Sequence, residues 1–116
     1  MTAENSILLF ISDASVLASL QFALSLEGFQ VADGLAAANP SATCLVIDQA
    51  CRGGGLDLLA SLRAGGCNAP ALLLATNPGA ALRRRAGALG ATIIEKPLLG
   101  DELTRALRRI LQTEAA

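Results

Sequence analysis

The sequence lacks histidine, tryptophan and tyrosine, and it contains a single lysine among its 116 residues. Without histidine it has no imidazole for metal binding or acid–base catalysis, and no residue that could become a phosphohistidine. Three phenylalanines are the only aromatic residues, which leaves few side chains for base stacking. The net charge of −1 gives no general attraction to phosphate backbones. We therefore expect no nucleic-acid partner, and we interpret Arg83-Arg84-Arg85 as a solvated helix face that could serve a protein partner.

Membrane and secretion signals are also missing from the sequence. No apolar run approaches the roughly 18 residues of a membrane span, and residues 1–6 lack the basic region of a secretory signal. The three cysteines form no C-x-x-C pair, so we interpret them as reduced thiols. These features predict a cytoplasmic protein without a membrane partner, organised as a single domain over residues 1–116.

What the sequence does contain is a series of short apolar runs that alternate with helical patterns. The predicted strands are Ile7–Ile11, Phe29–Ala32, Thr43–Ile47, Ala71–Ala75 and Ala91–Glu95. Helical spacing of apolar residues separates most of them, and a last amphipathic helix opens near Asp101. This alternation predicts βαβ units and a parallel sheet covered on both faces.

Polar residues follow three of the predicted strands. Asp48 ends the third run, Thr76 follows the fourth and Lys96 follows the fifth. The carboxyl ends of parallel strands lie at one edge of the sheet, where ligand sites of open α/β folds are found. The acid, the hydroxyl and the lysine are therefore predicted to converge there.

In this order, the strands and their polar ends resemble the receiver domain of bacterial response regulators, over almost the whole chain. The resemblance implies a flavodoxin-like, doubly wound parallel sheet of five strands in the order 2-1-3-4-5. It implies that Asp48 accepts a phosphoryl group, that Lys96 neutralises a phosphoryl oxygen and that Thr76 hydrogen-bonds another. It also implies bound Mg²⁺, a histidine kinase or phosphotransfer protein as partner in a phosphorelay, and a signalling role that is not enzymatic.

The metal site departs from the family pattern. Ile11 and Ser12 stand where receivers carry a pair of metal-holding acids, and Asp13 matches the next position, where we expect a helix cap. Only the carboxylate of Asp48 and a backbone carbonyl near Ala50 remain as protein ligands. Because hard cations need several oxygen ligands, we expect the Mg²⁺ site at Asp48 to be weak or absent.

A second departure is the short segment between Phe29 and Asp48. Asn39-Pro40 leaves space for only about one helical turn there, so the second helix of the fold is predicted to be shortened or missing. The apolar sheet face from which it is lost must then be covered by a neighbouring element or by self-association, which predicts a homodimer. A competing dimer surface is formed by the last two helices and the strand between them, where arginines could pair with Asp101 or Glu102 of a second copy.

Smaller departures accompany these two. Ile93 replaces an aromatic residue of the family, and Arg52 replaces a proline in a slightly shortened loop. A flavin or nucleotide site is disfavoured because Ile11–Ser15 contains no glycine that could admit a phosphate.

Two functional hypotheses follow: a phosphorylatable receiver with a degenerate metal site, or a phosphorylation-independent pseudo-receiver that acts as an interaction or dimerisation module. Both predict an ion pair between Asp48 and Lys96, because the lysine is the remaining group that can balance the acid. The family resemblance further implies a cis peptide bond between Lys96 and Pro97.

Overall fold

The computed structural model describes residues 6–35, 44–51, 53–96 and 102–115, with side chains of the last helix up to Ile110. The strands are β1 (Ser6–Phe10), β2 (Gln30–Asp33), β3 (Cys44–Asp48), β4 (Ala71–Ala75) and β5 (Ala91–Glu95). The helices are α1 (Ala14–Leu26), α2 (Gly55–Ala64), α3 (Ala80–Ala88) and α4 (Glu102–Ala115). The five predicted strands are confirmed, two at the predicted bounds and three displaced along the chain by one residue.

The strands form one parallel sheet in the order β2-β1-β3-β4-β5, which confirms the predicted flavodoxin-like topology. The register pairs Asp48 of β3 with Leu74 of β4, and Ala75 of β4 with Glu95 of β5. Asp48, Thr76 and Lys96 therefore follow one another along the same edge of the sheet.

Both faces of the sheet are covered at its centre, which explains why the runs in β1, β3 and β4 are apolar. β3 and β4, at the centre, are buried throughout. On one face the strands pack against residues of α1 and α4, namely Leu24, Leu103 and Leu107. On the other face they pack against residues of α2 and α3, namely Leu56, Leu59 and Ala86.

The connection from β2 to β3 covers part of the second face. Leu8 and Phe10 of β1 are 7% and 4% exposed. Gly34 lies against the Phe10 ring so closely that a Cβ atom there would be 2.5 Å from the nearest ring carbon, and Leu35 packs in the same cluster. Self-association is therefore not needed to bury these side chains. The predicted short or missing second helix falls on residues 36–43, outside the described residues.

Two side chains cap the helices that flank the sheet edge. Asp13 Oδ1 accepts hydrogen bonds from the backbone N–H groups of Ser15 (2.9 Å) and Val16 (3.2 Å), which confirms the predicted cap of α1. α2 begins after Gly54, which has no side chain to offer, and the Gln49 Oε1 atom accepts from the N–H of Leu56 at 2.9 Å instead. The loop after β3 is thus tied to the start of α2.

Two of the three arginines of α3, Arg83 and Arg85, form ion pairs within the chain. Arg83 lies 2.7 Å from Glu95, and Arg85 lies 2.7 Å from Asp57. The predicted pairing of these arginines with a second copy is therefore not required to neutralise them, and Asp101 lies outside the described residues. Within the part of the chain that the structure describes, no helix has the length and apolar character needed to cross a bilayer.

Candidate functional site: an aspartate and a lysine at the sheet edge

Asp48 and Lys96 form the predicted ion pair. Lys96 follows β5, and its backbone N–H donates to the carbonyl of Ala75 at 2.9 Å, which extends the pairing with β4 by one residue. The Lys96 Nζ atom lies 3.0 Å from Asp48 Oδ1 and 3.2 Å from Oδ2. The ammonium group thus contacts both oxygens of one carboxylate.

The two oxygens of Asp48 have different surroundings. Oδ1 accepts a second hydrogen bond, from the backbone N–H of Ala50 at 2.9 Å. Among the described contacts, Oδ2 accepts only from Lys96. The backbone carbonyl of Asp48 accepts from the N–H of Cys51 at 2.8 Å, so the loop turns tightly behind the carboxylate. Oδ1 is therefore the anchored oxygen and Oδ2 the more available one.

Burial makes this pair different from the other ion pairs of the protein. Asp48 is the only charged residue that is buried among those described. Its side chain is 11% exposed and that of Lys96 is 30% exposed, whereas the Arg83–Glu95 pair is more than half exposed on both sides. Partly buried charges are screened less by solvent and salt than surface charges. Asp48 and Lys96 therefore depend on each other for neutralisation.

A close backbone contact positions the carboxylate. Gly55, the first residue of α2, lies so near the end of β3 that a Cβ atom there would be 2.6 Å from the Asp48 carbonyl oxygen. Glycine is required at this position because any side chain would push the helix away from the strand end. Three consecutive glycines, Gly53-Gly54-Gly55, would by themselves indicate a flexible loop, but Gly55 is the first residue of α2.

Thr76 lies at the same edge but does not contact the pair. Its side chain is exposed, and the described hydrogen bonds include none between Thr76 and Asp48 or Lys96. The next residue, Asn77, has a φ of +47° and is the only non-glycine residue with positive φ in the described segments. Asparagine tolerates this left-handed conformation better than most residues. The sheet register confirms the placement of Thr76, and its role toward a phosphoryl group stays a prediction.

The oxygen donors around Asp48 do not fit a magnesium ion. Ile11 is 2% exposed and packs in the core. The Ser12 hydroxyl donates to the Cys51 Sγ atom at 3.5 Å, and the Asp13 carboxylate caps α1. In the described segments, no three or more His, Cys, Asp or Glu residues are grouped so that they could hold a metal ion. Mg²⁺ takes six oxygens, of which water and phosphate groups supply several and the protein one or two carboxylates. Asp48 is the one carboxylate that remains here, and Lys96 already contacts both of its oxygens.

Several predicted features of the site lie outside the described residues. Pro97, and with it the predicted cis bond, is not described, and neither is Arg52. Ile93 is half-buried against the cluster that includes α2 and α3. The capping role of Gln49 and the contact between Ser12 and Cys51 were not predicted. Gln49 and Cys51 are close to Asp48 in the chain, but no other sequence signal indicates these two contacts.

Comparison with solved structures finds the same architecture in several other proteins. The receiver domain of the Francisella response regulator 1452 superposes with a TM-score of 0.82 at 18% identity, covering 94% of this chain and 98% of that one. A CheY-like receiver domain protein from Methanospirillum hungatei gives a TM-score of 0.80 at 18% identity, covering 95% of both chains. The response regulator StyR gives 0.81 at 26% identity, covering 95% of this chain and 60% of StyR.

These likenesses identify the fold. The chain has the fold of response-regulator receiver domains, which confirms the resemblance inferred from the strand ends. It matches whole receiver domains almost end to end, and it spans 60% of the longer regulator StyR. No protein-family model matches the sequence, and no curated protein matches it significantly.

Proposed function

We propose that this chain is a signalling receiver domain in which Asp48 accepts a phosphoryl group from a histidine kinase or phosphotransfer protein, with little help from Mg²⁺. The observation that carries the proposal is the contact of Lys96 Nζ with both Asp48 oxygens, at 3.0 and 3.2 Å. It joins an acid and a base from two strand ends at the edge where the fold places its ligands.

The geometry suggests how the transfer proceeds. Oδ2, the less engaged oxygen, attacks the phosphorus of a partner's phosphohistidine, an O–P bond forms and the N–P bond breaks. The histidine nitrogen keeps the electron pair and takes a proton from solvent. Lys96 then shifts its contact from the carboxylate to a phosphoryl oxygen. Its side chain is 30% exposed and is therefore free to make this movement. Thr76, at the same edge, contacts a second phosphoryl oxygen.

The same pair also makes the proposed reaction slow. Lys96 neutralises Asp48 before any donor arrives, so the carboxylate is a poor nucleophile and its contact with the lysine must be given up as the O–P bond forms. Magnesium would normally supply further charge stabilisation to a phosphoryl transfer. Because the residues around Asp48 lack the required oxygens, we propose that labelling is slow and nearly independent of Mg²⁺.

A second candidate function is a pseudo-receiver that signals through protein contacts without phosphate. The observation that favours it is the use of Asp13, the nearest acid in sequence to the lost pair, as the cap of α1. In that case the Asp48–Lys96 pair would only stabilise the fold.

Intact-protein mass spectrometry separates the two candidates. The chain is incubated with acetyl phosphate, with and without Mg²⁺, and the mass increase of about 80 Da that marks a phosphoryl group is followed over time. Slow labelling that is lost in Asp48→Asn and unchanged by Mg²⁺ supports the first candidate. No labelling in either condition supports the pseudo-receiver, and rapid labelling that requires Mg²⁺ contradicts the degenerate site.

A further inference from the structure

Helix α1 exposes large apolar side chains to solvent. Phe22 is 68% exposed and Leu26 is 71% exposed, and they lie one helical turn apart. The only other large apolar residue that is exposed in the described segments, Val16 at 40%, is also on α1. The helix contains no charged residue between Ala14 and Leu26. An amphipathic surface helix normally directs charged side chains outward, so this face has the character of an interface.

The exposed residues form a stripe with an ordered pattern of sizes. At 3.6 residues per turn, Ser15, Ser19, Phe22 and Leu26 fall on one side of α1, opposite the residues that pack on the sheet. We call these four residues the α1 stripe. Its N-terminal half carries two small side chains, and its C-terminal half carries two large ones.

This pattern is complementary to itself when two copies of the helix run in opposite directions. About a two-fold axis between positions 20 and 21, Phe22 of one copy faces Ser19 of the other, and Leu26 faces Ser15. Each large side chain then fills the space above a small one, and such self-complementarity is what a two-fold interface requires. A parallel pairing would instead set large against large and small against small.

Charge favours the same direction. Asp13, at the start of α1, is exposed. At the end of α1, Arg108 lies 2.9 Å from Glu27 and 5.1 Å from the Phe29 ring centre, with its side chain 49% exposed. Antiparallel packing keeps the two Asp13 carboxylates apart, places each near the Glu27–Arg108 ion pair of the other copy, which carries no net charge, and sets opposite ends of the helix dipoles together. Parallel packing would bring the two Asp13 carboxylates together.

From these observations we infer that the α1 stripe is a homodimer interface, in which a second copy of this chain packs antiparallel on Ser15, Ser19, Phe22 and Leu26. This surface is separate from the two that the sequence suggested, and it is independent of phosphorylation. A single pair of helix faces buries less than the roughly 1,200 Å² of stable complexes. The dimer is therefore weak and forms only at high protein concentration.

Sedimentation velocity from about 10 μM to 1 mM, the range in which weak complexes dissociate, tests the proposal. The wild-type chain should shift reversibly from monomer to dimer. Phe22→Glu removes the central apolar contact, and Ser19→Lys fills the space that receives it. Each should raise the dissociation constant by about tenfold or more, as for residues at the centre of an interface. The control Ala88→Glu, at an exposed position of α3, should leave it unchanged.

Mixing the two variants tests the register. A heterodimer of Phe22→Glu with Ser19→Lys contains one native contact between Phe22 and Ser19, and it sets the introduced glutamate of one copy against the introduced lysine of the other. An equimolar mixture should therefore regain most of the lost affinity. Circular dichroism confirms that each variant is folded, since both positions are exposed. A strict monomer up to the highest concentration, a dimer indifferent to Phe22→Glu, or a mixture that stays monomeric would overturn the proposal.

Discussion

Removal of the lysine should destabilise the protein more than removal of the aspartate. Lys96→Met leaves the Asp48 carboxylate with an 11% exposed side chain and, among the described contacts, only the N–H of Ala50 as a donor. Asp48→Asn leaves a lysine whose side chain is 30% exposed and reaches water. The asparagine also keeps an oxygen that can accept the bond from Ala50. The two variants break the same pair but leave different groups unpaired.

The magnitude follows from the burial of the pair. Breaking a fully buried ion pair costs about 3–5 kcal/mol, and an exposed pair contributes about 0.2–1 kcal/mol. The group left behind in Lys96→Met is the more buried one, so we expect a loss of about 2 kcal/mol, between these limits. For Asp48→Asn we expect less than about 1 kcal/mol. In a chain of this size, a loss of about 2 kcal/mol lowers Tm by roughly 8 °C.

Urea unfolding followed by circular dichroism measures these values in a double-mutant cycle of Lys96→Met and Asp48→Asn. In the Asp48→Asn background, Lys96→Met should cost little, so that the coupling energy is about 1–2 kcal/mol. Arg84→Met, which removes an exposed cation from α3, serves as the control and should change stability by less than about 0.5 kcal/mol. A coupling below that value, or a larger loss in Asp48→Asn than in Lys96→Met, would refute the mutual dependence of the pair.

Three further predictions concern the scaffold that positions the site. Gly34→Ala places a Cβ atom 2.5 Å from the Phe10 ring and should cost about 1–3 kcal/mol by urea unfolding. Gly87→Ala, inside α3 and with nothing within 4 Å of its Cβ atom, is its control and should not destabilise the protein; an equal loss in both variants would contradict the contact. Arg63 donates to three backbone carbonyls at 2.6–3.1 Å, so Arg63→Met should lower the free energy of unfolding by about 2 kcal/mol or more. Arg63→Lys should restore only part of this stability; full restoration would show that charge alone matters. Asp13→Ala should lower stability by about 1 kcal/mol through loss of the α1 cap, while Asp13→Ser retains most of it; equal losses would exclude the capping role.

The sequence by itself determined the architecture, because its signals are local and repeated. Runs such as Ala71–Ala75 and Ala91–Glu95 are indicated as strands because helical patterns separate them, and parallel pairing follows from that alternation. The position of Asp48 and Lys96 at one sheet edge follows from the same topology. Their attraction could be predicted because Ile11 and Ser12 replace the usual pair of acids, which leaves Asp48 as the acid that faces the lysine.

The sequence indicated that the face of β1 needed a cover, but it could not say what supplies it. Phe10 is buried because Gly34, which is distant from it in the chain, has no Cβ atom to keep the turn away from the ring. A contact of this kind depends on the crossing of two segments in space, and no local pattern of the sequence encodes it.

The tertiary structure alone also decided how the site is built. Gln49 caps α2, Gly55 admits the helix against the end of β3, and the two oxygens of Asp48 become unequal through the N–H of Ala50. The same is true of the α1 stripe, because apolar residues occur on several sides of α1 and their spacing alone does not show which of them face the sheet. Which of them face the sheet and which face solvent is set by the rotation of the helix on the sheet, and that rotation is a property of the packed molecule.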